Sequence, residues 1–132
     1  MKQMFPSSSV SISFSVSDWH GFLTLADDLA ARSGNEAAAR TAISRAYYAA
    51  FHAGRAYLSR VNILAEVSGR AHWQLRQVLE AHDPAISETL TRLHNWRKEA
   101  DYEDSCSFDV ERQARIAITL ARATIEKIES IT

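Results

Sequence analysis

Hydrophobic positions recur along this chain with two different periods, and the change of period divides it. Over the first seventeen residues Val10, Ile12, Phe14 and Val16 alternate with Ser9, Ser11, Ser13, Ser15 and Ser17, the spacing of a strand. Beyond them the spacing becomes that of a helix. Phe22, Leu25, Ala26 and Leu29 follow Ser17 and Asp18, both suited to an N-cap, and the run stops at Ser33-Gly34. Asn35 can open a longer helix reaching about Arg60. After the stretch Val61 to Val67, a third helix runs from Ser68 to Ala81 and carries Leu75, Val78 and Leu79. Asp83-Pro84 begins a fourth, because a proline at the first helical position lacks only an N–H that has no partner there; it continues to about Tyr102. A polar link, Glu103 to Ser107, follows. In the last helix Val110, Ala114, Ala117, Ile118, Ala121, Ile125 and Ile128 form one stripe, with Glu111, Arg112, Arg115, Arg122 and Lys127 outside it.

This pattern predicts an all-α fold: an antiparallel four- to five-helix bundle over 18–132, preceded by an extended arm or strand over 1–17. A lone strand satisfies its backbone only by pairing with another copy or a partner; otherwise it stays a flexible arm, and both readings are open. Composition agrees with the helical reading, since glycine (4) and proline (2) are scarce and the 46% of hydrophobic residues can fill one core. The serine at every second position of the arm breaks any apolar run, which argues against an export signal or a membrane span and for a cytoplasmic protein with no membrane partner. One cysteine, Cys106, rules out an intrachain disulfide and is expected to have no role. The formal charge of −1 lacks the basic footprint of a nonspecific nucleic-acid binder, so any RNA contact requires a local patch.

Two helices carry the candidate chemistry. On the second, Ile43, Tyr47, Ala50, Phe51, Gly54 and Leu58 form a large-residue face, and Ala42, Ala46, Ala49, Ala53 and Ala56 an adjoining strip that lets another helix approach closely. A third strip holds Arg45, Tyr48, His52, Arg55 and Ser59. Its cations and aromatics could hold phosphate and stack on a base, against the plainer reading of a solvated face. On the fourth helix Ile86, Leu90, Leu93 and Ala100 gather on one side, and Arg97 falls in their middle. An unpaired charge taken out of water costs several kcal/mol, so a carboxylate must hold it or it must open into a cleft. Asp101 and His94 lie beside it.

SRAYYAAFHAGRAYL at Ser44 to Leu58, His72 after the following loop, and WRKEADYED from Trp96 resemble, in that order, the small prokaryotic HEPN domains, over about Asp18 to Ile128. The resemblance implies a helical bundle that forms a homodimer, encoded beside a minimal nucleotidyltransferase antitoxin in toxin–antitoxin pairs. Many members are metal-independent ribonucleases whose arginine and a histidine four to six residues later meet in the dimer cleft. Arg97 matches the arginine, but no histidine follows His94.

Attack by a 2′-hydroxyl needs a proton acceptor and donor near neutral pH, and an exposed aspartate is too acidic to protonate a leaving alkoxide. Asp101 therefore reads first as the ion-pair partner of Arg97 and second as its catalytic companion. His94, His72 and His52 are the histidines that could enter the same cleft. With Arg45, Tyr48 and Arg55 they form the candidate set for binding nucleotide or RNA. Tyr102 matches a tyrosine that such transferases modify with nucleotide; the plainer reading is a residue capping the bundle. No metal site and no cofactor is expected, because His72 with His82 or His94 lacks ligand spacing and Cys106 has no neighbouring ligand. Two functions follow: an interaction subunit that binds a transferase partner, with or without nucleotide or RNA, and does not cut, or a ribonuclease toxin using Arg97 with Asp101 or a histidine from another helix.

Overall fold

A computed structural model of the chain describes residues 17–61 and 70–131. Five helices make up the fold: α1 (Ser17–Ala30), α2 (Glu36–Arg60), α3 (Ala71–Glu80), α4 (Pro84–Tyr102) and α5 (Val110–Glu129), and no strand occurs among the described residues. The alternating segment up to Val16 and the start of the third helix at Ser68 lie outside the described residues. The helical part begins at Ser17, one residue before the expected boundary.

Local chemistry sets most of the ends. The Asn35 side chain accepts the Ala38 N–H at 3.0 Å, the Asp83 side chain accepts that of Ala85 at 2.9 Å with Pro84 at the first helical position, and Asp109 accepts that of Arg112 at 3.2 Å. Each cap satisfies a donor that the first turn leaves without an intrahelical acceptor. α1 stops at Ala30, four residues before the expected glycine. Arg32 and Asn35 donate to carbonyls only three residues back, and Gly34 takes the left-handed φ of 73° that such a reversal requires. The Gly34 N–H also reaches across to Glu111 at 2.8 Å, fastening this turn to α5.

The core surrounds α2, whose two apolar strips are buried on different sides. Ile43, Tyr47, Phe51 and Leu58 share one buried core with Leu75, Leu79, Leu90 and Leu93 of α3 and α4 and with Ala42, Ala46, Ala49 and Ala53, and α2 also packs against α1 and α5. Side-chain contacts give the directions. Trp19 and Phe22 meet His52, and Phe22 also meets Arg45, so α1 and α2 are antiparallel. Asp27 pairs with Arg122 and His20 with Glu129, so α1 and α5 are antiparallel as well. Ser44 touches Asp101 and Arg40 touches Glu103, which orients α4 against α2. The exception is α3: Tyr47 contacts His72 and Tyr57 contacts His82, so α2 and α3 run in the same sense. Between them the packing is close, because a Cβ on Gly54 would lie 2.7 Å from Leu75 Cδ2. That contact seats the beginning of α3, and with it His72, against the middle of α2.

Candidate functional site

Ile86, Leu90, Leu93 and Ala100 are buried as the periodicity requires, and this rotation of α4 draws Arg97 inward until its side chain is only 12% exposed. Its ion pair with Asp101, whose side chain is 28% exposed, spans 3.5 Å. Strong charge-assisted bonds are shorter, about 2.7–2.9 Å, so the pair neutralises the guanidinium incompletely. Ser44 Oγ reaches the same carboxylate oxygen at 3.3 Å. The guanidinium carbon stands 5.4 Å from the Tyr47 ring centre, 5.5 Å from that of Tyr48 and 5.9 Å from that of Tyr102, within cation–π range of all three. Its Nε is buried without an acceptor among the described residues.

Two histidines from different helices join this arginine. Tyr47, 3% exposed, places its hydroxyl 2.7 Å from His72 Nδ1, and the His72 ring stacks on His94 with centroids 3.7 Å apart and planes 19° from parallel. Burial pushes the Tyr47 phenol well above its ordinary range, outweighing the opposing Arg97 charge, so it keeps its proton. The Tyr47 hydroxyl thus satisfies Nδ1 of the neutral His72 ring, while Nε2 is buried with no partner among the described residues. Burial first, then the neighbouring His94, Arg76, Arg97 and Lys98, holds His72 down at about 3. Burial and the charges of Arg97, Lys98 and Arg76 hold His94 at about 4. Both rings are therefore uncharged near neutral pH. Arg76 closes the group, donating to Thr91 Oγ1 at 2.9 Å while its buried Nε has no partner among the described residues.

The third strip of α2 is not the solvated face that was the plainer expectation. Arg45, Tyr48, His52 and Arg55 are all partly buried, and only Ser59 at its end is exposed. The reason is α1, whose Trp19 and Phe22 rings lie 6.3 and 5.8 Å from His52. His52 is held below its ordinary value by burial, then by Arg55 and Arg45. Arg45 lies 5.9 Å from the Phe22 ring centre and 5.2 Å from that of Tyr48, and its buried Nε has no acceptor among the described residues. Of the sequence candidates, Arg97, Asp101, Tyr48, His72 and His94 thus form one cluster, Arg45 adjoins it through Tyr48, and His52 and Arg55 sit further along α2.

Tyr102 is 73% exposed at the last position of α4, outside the packed interior and beside Arg97. Arg40 fixes the backbone there, donating to the carbonyls of Ala100 at 2.9 Å, Glu103 at 2.6 Å and Asp104 at 3.0 Å, so a cation caps the negative end of α4. Cys106 is half-buried, and burial raises its thiol above the ordinary value. Sequence reasoning missed Arg40, Arg76, Ser44 and the Tyr47 hydroxyl. Only the last left a signal: a tyrosine among core-facing positions needs a polar partner.

Among the described residues, no group of three or more histidines, cysteines or carboxylates is arranged to hold a metal ion, and no helix is long and apolar enough to cross a membrane. Comparison with protein-family models and with curated proteins returns no match.

Proposed function

We propose that this chain is a HEPN-like subunit that works as a homodimer with a minimal nucleotidyltransferase partner, as the toxin-type or interaction member of the pair. In this reading the Arg97 cluster binds a phosphate of nucleotide or RNA without cutting it. One observation carries the proposal: a largely buried guanidinium has a single long ion pair and, among the described residues, an Nε without a partner, and it packs on the Tyr47 ring whose hydroxyl meets His72, another side chain with an unpartnered buried nitrogen. Guanidinium edges make their best directional bonds with oxyanions, and a phosphate brings several strong acceptor oxygens at once. The exposed Tyr102 ring beside Arg97 offers a face on which a base can stack.

The arrangement supports binding over cleavage. The two imidazoles near Arg97 supply what the motif lacks after that residue, yet held at about 3 and about 4 they are weak bases and unpopulated acids at neutral pH. Asp101 is engaged by Arg97 and Ser44. The test is to express the wild type and Arg97→Ala in a bacterial host, with and without the adjacent reading frame, following growth and RNA integrity. Purified protein is titrated in parallel with a fluorescent octa-adenylate RNA. Expected are intact RNA, binding that Arg97→Ala weakens at least tenfold, and a stable complex with the transferase. Arg97-dependent RNA cutting would replace this reading with the ribonuclease one, and absence of any binding would remove it.

A further inference from the structure

Arg45 and Arg97 come from different helices, α2 and α4, and share one aromatic ring. Their guanidinium carbons stand 5.2 and 5.5 Å from the Tyr48 centroid, so they can be no further apart than those two distances laid end to end. Arg97 has Asp101; Arg45 has no carboxylate within ion-pair distance and no acceptor for its buried Nε among the described residues. The flanking rings of Phe22 and Tyr48 attract a cation but do not take the directional N–H bonds of a planar guanidinium. Tyr48 is itself crowded, with Tyr47 edge-on at 5.1 Å and His52 at 6.3 Å, so packed neighbours already flank the ring that the two cations share.

Resting on the reading of Arg97 as a phosphate site, we propose that Arg45 forms a second phosphate subsite, so that the preferred ligand carries at least two phosphoryl groups. A nucleoside triphosphate and a phosphodiester strand share this chemistry. The first presents its phosphoryl groups on adjacent positions, the second spaces them by a sugar.

Four probes test the proposal by calorimetry or fluorescence titration: adenosine 5′-monophosphate, adenosine triphosphate, 5′-phosphorylated diadenylate and octa-adenylate. The wild type is expected to bind at least one of the probes with two or more phosphates tenfold or more tightly than the monophosphate, and which one gains identifies the source. Arg45→Ala should abolish that gain and weaken monophosphate binding far less, whereas Arg97→Ala should weaken every probe. With octa-adenylate, loss of one phosphate contact lowers the slope of log affinity against log salt by about 0.7. Arg45→Lys, which keeps the charge but not the fork, should retain the slope at reduced affinity and guards against a folding defect in the alanine variant. Monophosphate binding with no gain from a second phosphate, or an Arg45→Ala effect equal on all probes, would overturn the Arg45 subsite and leave the Arg97 reading standing. No binding of any probe to the wild type would overturn both.

Discussion

Lowering the pH from 6 to 5 should destabilise this protein by an amount that two histidines set. In the folded chain His72 and His94 are held at about 3 and about 4, by burial first and by surrounding cations second. In the unfolded chain each returns to about 6.5. The unfolded state therefore binds more protons through this window, and stability is fully present above about pH 6.5 and is lost as the pH falls. Each proton taken up on unfolding contributes about 1.4 kcal/mol per pH unit. An unfolded histidine is mostly protonated across pH 6 to 5, so two of them cost about 2 kcal/mol over that unit. The comparison is the double variant His72→Asn, His94→Gln, in which asparagine retains a polar atom for the Tyr47 hydroxyl. Urea unfolding at pH 6.0, 5.5 and 5.0 measures both proteins, and His52, also held low, contributes equally to each. The wild type should lose about 2 kcal/mol more than the variant, a large part of a typical domain's 5–15 kcal/mol. Parallel stability curves would refute the neutral, stacked pair, whatever the absolute stability of the variant.

Three further changes probe the parts that position this pair and its neighbours. Tyr47→Phe strands His72 Nδ1 in a buried setting and should cost about 1–3 kcal/mol in urea unfolding; a loss under about 0.5 kcal/mol would mean that the 2.7 Å contact contributes little. Gly54→Ala should gain about 1 kcal/mol of helix propensity but lose about 1–3 kcal/mol to overpacking, because the fully buried Leu75 cannot swing out of the way. Its signature is a changed ¹⁵N shift of the His72 ring with the His20 ring unmoved. Arg40→Ala frees three carbonyls at the end of α4, and amide exchange at Glu103 should accelerate while that of the α5 core stays slow.

Arg97 was legible as a buried cation because it depends on one number, the angular step of a helix, and on the four apolar residues that fix which way α4 turns. Asn35 and Asp83-Pro84 were legible as helix starts for a similarly local reason, since a cap acts within three residues. The stack of His72 on His94 was not. It depends on how far along α2 the third helix sits, which the Gly54–Leu75 contact sets across 21 positions of chain and no periodicity encodes. The same limit applies to the third strip of α2. Its mix of cations and aromatics suits open solvent or a roof of aromatic side chains equally well, and only the antiparallel return of α1 decides in favour of Trp19 and Phe22. Arg40 shows the limit most plainly, because its i,i+4 partner Glu36 is readable while its three carbonyl acceptors lie 60 or more positions away.

The features that suggest a ligand are the same ones that destabilise the free protein. Orphaned N–H groups on Arg97, Arg76 and Arg45 raise the energy of the unliganded fold, and two imidazoles held below their ordinary values add to that cost as the pH falls below about 6.5. They are held in place by the aliphatic layer beneath, where Leu75, Leu79, Leu90 and Leu93 are fully buried. A phosphate would relieve both kinds of strain, by accepting from the orphaned donors and by offsetting the cations that keep the imidazoles from protonating. Binding must then stabilise the fold by RT ln(1 + [L]/Kd), and by linkage its affinity should rise as the pH falls toward the histidines' folded values. On the proposed phosphate site, acid lability and ligand-induced stabilisation trace to one set of side chains. A variant that removes the histidine pair should flatten the pH dependence of stability and of phosphate affinity together, which separate structural and functional roles for these residues would not require.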